Sequence, residues 1–153
     1  MDCSNGKEQK LKKVLFLCTR NSCRSQMAEG FAKHLLNAQV YSAGTQKYIV
    51  DPLSIKVMAE KGIDISSQYS KTIQELPQEP FDYMFTLCSS AKENCPVYFN
   101  VKHKEHHGFD DPAALAQTAK TEEEKLNIYR RVRDEIEAFI ITLKEVFNNN
   151  TQG

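Results

Sequence analysis

Val14-Leu-Phe-Leu-Cys18-Thr-Arg-Asn-Ser-Cys-Arg-Ser25 joins an apolar, strand-like run to a polar loop, and the helix formers Gln26-Met-Ala-Glu29 follow. A buried strand over 14–17 and a helix from Ser25 leave that loop at a helix N-terminus. Backbone N–H groups converge there, and the helix dipole favours negative charge. Arg24 adds a planar guanidinium fork that matches a tetrahedral oxyanion. Thiolates are favoured in such electropositive settings, so Cys18 reads as a nucleophile at the floor of an oxyanion cradle. The Cys18-to-Arg24 spacing alone is weak. It gains weight from the strand before it, the helix after it and the absence of Asp or Glu between Lys12 and Gln26. A buried structural thiol is the competing reading.

A chain of 153 residues suits a single domain with its own core, and 41% hydrophobic with 26% charged residues is ordinary for a soluble protein. The formal net charge is zero, so no global field argues for nucleic acid or an anionic membrane. Met1–Lys13 lacks the apolar core of a signal peptide, and no stretch has the length of a membrane span, so a cytoplasmic address is expected. The cysteines are Cys3, Cys18, Cys23, Cys88 and Cys95. Their odd number and the lack of a Cys-x-x-Cys pair argue against a disulfide scaffold and a zinc ribbon.

Strand and helix patterns alternate along the chain. Strands are expected at Val14–Cys18, Val40–Ser42 and Phe81–Cys88, with a polar, edge-like segment at Val101–Phe109. Met27, Ala28, Phe31, Ala32 and Leu35 give the first helix, Ser25 to Asn37, its apolar stripe. Pro52 opens a second helix over Leu53–Lys61 that closes at Gly62. Thr121-Glu-Glu-Glu124 is a capping box for a last helix whose face carries Ile128, Val132, Ile136, Phe139, Ile140, Leu143 and Phe147. The tail from Asn148 is expected to fray. Alternation of this kind predicts an α/β fold with a parallel sheet covered on both faces, its ligands beyond the carboxyl ends of the strands. The expected division is a tail over 1–10, one domain over 11–148 and a frayed end over 149–153.

Two further features carry chemistry. Cys88 and Cys95 are seven residues apart. On a helix their Cα atoms would stand roughly 10 Å apart, at about 1.5 Å per residue. A disulfide needs about 4.4–6.8 Å. The pair therefore bonds only if the segment is unwound, which suits a switch that is coiled when reduced and looped out when oxidised. Two unrelated cysteines are the plainer alternative. Gly108-Phe-Asp-Asp-Pro112 sets Asp111 before a proline, which biases it to an extended backbone and can aim its carboxyl at a site; an N-cap or turn aspartate is the alternative. His103, His106 and His107 read as a solvated strand more readily than as a metal site. The Cys23 thiol is expected to face away from a bound anion, and Tyr41 and Tyr48 carry no evident role.

With these pieces assembled, the chain resembles the thioredoxin-coupled arsenate reductases built on the low-molecular-weight tyrosine phosphatase fold. The matching strings are Cys18-Thr-Arg-Asn-Ser-Cys-Arg-Ser-Gln-Met-Ala-Glu-Gly30, Tyr41-Ser-Ala-Gly44, Gly62-Ile-Asp-Ile-Ser66, Thr86-Leu-Cys88 through Cys95-Pro96, Gly108-Phe-Asp-Asp-Pro-Ala113 and Arg131-Val-Arg-Asp-Glu-Ile136. They run in order from about Lys13 to Phe147. The resemblance implies one domain with a four-stranded parallel sheet flanked by helices. It implies Cys18 as nucleophile, with Thr19, Arg20, Asn21, Ser22, Cys23, Arg24 and Ser25 holding the oxyanion. Ser25 is expected to donate to Cys18, and Asp111 to protonate the departing oxygen. Cys88 then forms a Cys18–Cys88 disulfide as arsenite leaves, and Cys95 converts it to Cys88–Cys95. Thioredoxin, fed by thioredoxin reductase and NADPH, reduces that bond. No bound cofactor, nucleic acid or membrane partner is implied, and a monomer is expected.

The chain also departs from its relatives. Arg20 stands where they usually have glycine, which would crowd the loop if a positive φ were needed there. His107 replaces a tryptophan. Relatives hold a potassium ion at positions matching Asn21, Glu29 and Ser42, but Lys71 falls where a carboxylate commonly lies, and its ammonium is expected to replace the ion. The nearest rival reading is a tyrosine phosphatase, which also uses Cys18, Arg24 and Asp111, and weak side activity on aryl phosphates is expected. A thiol-based metalloid- or metal-binding module using the cysteines and the His103–His107 cluster is a rival from another class.

Overall fold

A computed structural model describes residues 11–77, 79–88 and 100–150, with side chains to residue 147 except those of residue 78 and 89–99. The expectations for Cys3, Cys95, Pro96 and the tail before residue 11 lie outside the described residues.

Strands β1 (Lys12–Leu17), β2 (Ala38–Ala43), β3 (Phe81–Thr86) and β4 (Val101–His106) form one parallel sheet in the order β2-β1-β3-β4. β1 is central, with Val14 opposite Val40 on one side and Tyr83 on the other. Side chains alternate between faces, and Val14, Leu15, Phe16 and Leu17 are all fully buried. That explains the unbroken apolar run, since a central parallel strand has no solvent face. β4 is the expected polar edge, with all residues after Val101 exposed. Its charges discourage edge-to-edge pairing.

Helices α1 (Arg24–Leu35), α2 (Pro52–Ala59), α3 (Pro112–Ala116) and α4 (Glu122–Asn150) share one core with Val14, Phe16, Phe85 and Leu87 of the sheet. On the other face, Leu15, Leu17 and Met84 pack against Leu76 and Ile73 of a 3-10 turn, Ile73–Glu75. The faces are therefore covered unequally among the described residues, with the α-helices on one and the 3-10 turn on the other. α3 was not evident in the sequence pattern, and α4 stays helical to Asn150, past the expected fraying point. Gly62 ends the α2 segment at φ 76, the left-handed conformation that favours glycine. None of the described helices is long and apolar enough to cross a membrane.

Glu60, at the end of α2, ties that helix to α4. It accepts from Arg130 Nε (3.0 Å) and Nη2 (2.8 Å) and from Arg133 Nη1 (2.8 Å). The Arg130 hydrogen bond first, then that of Arg133, holds its carboxyl down at about 2. A depressed folded value stabilises above the unfolded carboxylate range and is lost as pH falls through it. Glu60→Gln is expected to lower Tm at neutral pH by about 3 °C, modest because the cluster is part-exposed. That gap should narrow as pH falls from about 5 towards 3. Melting curves across that range check it, and a gap independent of pH would contradict the assignment.

Candidate active site

The loop between β1 and α1 is pinned by backbone hydrogen bonds. Cys18 N–H donates to Ala43 O at 3.2 Å, and the carbonyl of Thr19 accepts from Thr45 N–H at 2.9 Å. A Cβ on Gly44 would stand 2.7 Å from Cys18 O and 2.6 Å from Thr19 O, so only glycine lets β2 run this close beneath the loop. Asn21 takes φ 52, a conformation Asn tolerates better than most residues. Arg20 is not in that region, so the crowding expected from a side chain at its position does not arise. α1 begins at Arg24, and its first-turn amides have no intrahelical acceptor. Residues 18–20 and 22–24 line a cavity of about 360 Å³ together with Tyr48, Asp51 and Asp111.

A buried polar layer supports the loop from behind. Asn21 Oδ1 accepts from Lys71 N–H (2.9 Å) and Gln26 Nε2 (2.9 Å), which orients the amide. Asn21 Nδ2 therefore points the other way, donating to Ser25 Oγ (2.8 Å) and Ser42 Oγ (2.9 Å). Ser42 spends its own proton on Glu29 Oε1 at 2.5 Å. Ser25 Oγ, which accepts from Asn21, lies 2.8 Å from Cys18 Sγ. The polar chain thus runs from the amide of Asn21 through Ser25 to the sulfur. Gln26, Ser25 and Glu29 are all buried, so α1 hides its polar side as well as its apolar stripe over Arg24–Ala32.

Arg24 is 4% exposed. Its Nη1 donates to the carbonyls of Phe109 (3.2 Å) and Leu87 (3.5 Å), and its Nη2 lies 3.7 Å from Asp111 Oδ2. Asp111 is an N-cap, the alternative weighed for it in the sequence. Its backbone is extended (ψ 107), and its Oδ1 caps α3 by accepting from Ala113 N–H at 3.1 Å. That bond fixes the carboxyl and leaves Oδ2 turned to Arg24 and the cavity. Cys88 follows β3, fully buried, with its sulfur 4.0 Å from the hydroxyl of Thr19. Cys88 is disulfide-bonded, whereas Cys18 and Cys23 carry free thiols, so its partner is outside the described residues.

Cys23 and Tyr48 are placed differently from expectation. Cys23 lines the cavity, where its thiol donates to Asp51 Oδ2 at 3.0 Å. Tyr48 is not idle: its ring lies beneath the guanidinium of Arg20, 5.3 Å from centroid to carbon, at the cavity mouth. His107 stacks on Phe109 and Phe139, His103 on Tyr83, and His106 Nδ1 is 2.8 Å from the hydroxyl of Thr86. Among the described residues no group of His, Cys, Asp and Glu is arranged to hold a metal ion. Lys71 Nζ lies 3.7 Å from Glu29 Oε1 and donates to Tyr69 O at 3.0 Å. Burial, opposed by Glu29, lowers its pKa. Asp51, Tyr129 and Gln26 were missed by sequence reasoning. The Asp51-Pro52 pair, an N-cap signature, is the one local signal that marks any of them.

Residues 13–152 match the model of the low molecular weight phosphotyrosine protein phosphatases. The chain belongs to that family. It is 48% identical over 136 residues to an arsenate reductase of Halalkalibacterium halodurans, covering 88% of this chain and 96% of the relative. It is also 48% identical to an arsenate reductase of Bacillus subtilis, over 82% of this chain and 89% of that one. A solved arsenate reductase in its phosphate-binding state superposes with a TM-score of 0.75 at 34% identity, covering 90% of this chain and 99% of the other. The four-stranded parallel sheet of a single low-molecular-weight-phosphatase-like domain is thus both observed and shared.

Proposed function

We propose that this protein reduces arsenate to arsenite, with Cys18 as nucleophile and Cys88 and Cys95 carrying the oxidation outward to thioredoxin. The observation that carries this reading is the pairing of a free Cys18 in an oxyanion cradle with a disulfide-bonded Cys88 against the cradle wall at Thr19. The loop amides and Arg24 bind the anion. The Cys18 sulfur attacks arsenic while Asp111 protonates the departing oxygen, which leaves as water. The thiolate of Cys88 then attacks Cys18 Sγ, and the electron pair of the sulfur–arsenic bond passes to arsenic. Arsenic falls from the pentavalent to the trivalent state and arsenite departs. The two sulfurs are left joined. Cys95 attacks Cys88 and frees Cys18; a free Cys18 beside an oxidised Cys88 is the arrangement that step produces. Thiol attack on a disulfide by thioredoxin completes the cycle. The accompanying reading is a monomer working in the cytoplasm.

The test is a coupled assay with thioredoxin, thioredoxin reductase and NADPH, with glutaredoxin and glutathione run in parallel. Sustained, arsenate-dependent NADPH consumption is expected with thioredoxin. Stoichiometric arsenic uptake without turnover would replace this reading by a binding module. A phosphatase reading shares Cys18, Arg24 and Asp111, yet Ala113 lines the cavity where tyrosine phosphatases of this fold typically place an aromatic. Cleavage of aryl phosphates is accordingly a side activity.

The potassium position of relatives is a poor fit for a cation here. Asn21 presents its N–H₂ to Ser42, and the ammonium of Lys71 already faces Glu29. Lys71 supplies the positive charge, so exchanging sodium for potassium at constant ionic strength is expected to leave the rate unchanged. A several-fold rise with potassium would refute this role.

A further inference from the structure

The cavity holds a second thiol that the proposed relay does not use. Cys23 and Cys18 both line it, and a charge on Cys18 is felt at Cys23. Nothing in the chemistry of sulfur makes Cys88 a better attacking group than Cys23. If Cys23 attacked the Cys18–arsenic adduct, arsenite would leave by the same electron shift and a Cys18–Cys23 disulfide would remain. That bridge would lie within the loop itself, away from the Cys88 end of the relay, and would consume the nucleophile.

Asp51 stands against this route. Its backbone N–H donates to Ser22 O at 3.1 Å, and Oδ1 caps α2 by accepting from Leu53 N–H at 2.9 Å. Oδ2 takes both the Cys23 thiol at 3.0 Å and the Tyr129 hydroxyl, from α4, at 2.6 Å. Two donors and the N-terminus of α2 thus converge on the carboxyl group of Asp51. Besides Asp51, the groups facing Cys23 are Cys18 and its neighbour Arg24 on the loop, Asp111 before α3, and Tyr129. Burial first, then the charge of Asp51 and its hydrogen bond, push the Cys23 thiol well up. A thiol that keeps its proton is a poor nucleophile.

We propose that Asp51 is a positioning residue that holds Cys23 as an S–H donor, so that the Cys18 adduct is resolved by Cys88 and never within the loop. This rests on the arsenate-reductase reading, and the experiment has one arm that does not.

In the arm without arsenate, alkylation of Cys23 by iodoacetamide is followed across pH by peptide mass spectrometry in the wild-type protein, Asp51→Asn and Tyr129→Phe. Asparagine keeps the helix cap and removes the charge. Asp51→Asn is expected to alkylate Cys23 about ten-fold faster at pH 8, the equivalent of one pKa unit. Tyr129→Phe removes a hydrogen bond from the same oxygen but leaves the charge, and should behave as wild type. In the second arm, disulfides are mapped after one arsenate turnover. Wild type and Tyr129→Phe should link Cys88, whereas Asp51→Asn should accumulate a Cys18–Cys23 bridge. Adding Cys23→Ser to Asp51→Asn should restore the Cys88 route. An unchanged alkylation profile in Asp51→Asn, no loop bridge in that variant, or equal misrouting in Tyr129→Phe would each overturn the proposal. A wild-type protein that forms no disulfide with arsenate would instead refute the arsenate reading, while the alkylation arm still reports on Asp51.

Discussion

Cys88→Ser is expected to separate reduction from phosphoester cleavage in a single measurement. Steady arsenate-dependent NADPH consumption should fall by about three orders of magnitude, the scale seen when a reacting group that works as one of a set is lost. Hydrolysis of an aryl phosphate such as p-nitrophenyl phosphate should stay within about two-fold, because serine is nearly isosteric and a surrounding that keeps its shape costs little. The physical reason is placement. Cys88 is fully buried after β3, 4.0 Å from the Thr19 hydroxyl, so it adjoins the anion loop without contributing to the grip on the anion. With serine there, and Cys23 held as an S–H donor to Asp51, the Cys18–arsenic adduct has no thiolate to resolve it and the enzyme stalls after attack. Retained arsenate turnover in this variant would end the relay account, and an equal fall in both activities would mean that Cys88 acts through the loop's shape.

Arg24→Lys is expected to remove both activities together. The guanidinium reaches the carbonyls of Phe109 and Leu87 through Nη1 and faces Asp111 through Nη2, so one planar group spans the end of β3, the approach to α3 and the cavity. Lysine keeps the charge but offers a single point in place of a fork. It cannot hold two carbonyls and the anion at once. A loss of about 10³-fold in kcat/KM is expected for arsenate and for aryl phosphate, the scale of removing a principal oxyanion donor. The abandoned carbonyls should also cost roughly 1–3 kcal/mol of stability, read separately by denaturation. A fall of less than about ten-fold in both substrates would take Arg24 out of anion binding, since bidentate charged contacts are worth more than that.

What the sequence revealed and what it hid follow from the range of the interactions. The central strand was legible because Val14-Leu-Phe-Leu17 is apolar without a break, and α4 because its apolar positions recur at helical spacing over many turns. The loop was legible because helix N-termini, cysteine and arginine form a short local pattern. α3 escaped because five residues give no period to count, although Asp111-Pro112 announces a helix start as clearly as Asp51-Pro52 does. A carboxylate has two oxygens: Oδ1 of Asp111 caps α3, and Oδ2 faces Arg24. Gln26 lies off the apolar stripe of α1. It is buried because Gln68 and the Tyr69 carbonyl fold over it from 42 and 43 residues away. The Tyr129–Asp51–Cys23 cluster spans 78 residues in its longer link and has no local signature at all.

Asn21, Ser25 and Ser42 are tied together by hydrogen bonds behind the loop, so the bowl weighs an oxyanion by shape and charge. Inorganic phosphate answers both criteria as well as arsenate does, so it is expected to enter the seat and depart unchanged. Fidelity is therefore deferred to valence: phosphorus does not accept an electron pair from a breaking bond to sulfur, and arsenic does. A reductase built on such a seat is expected to be indifferent at admission and exacting only at electron transfer, with phosphate slowing turnover without altering the product.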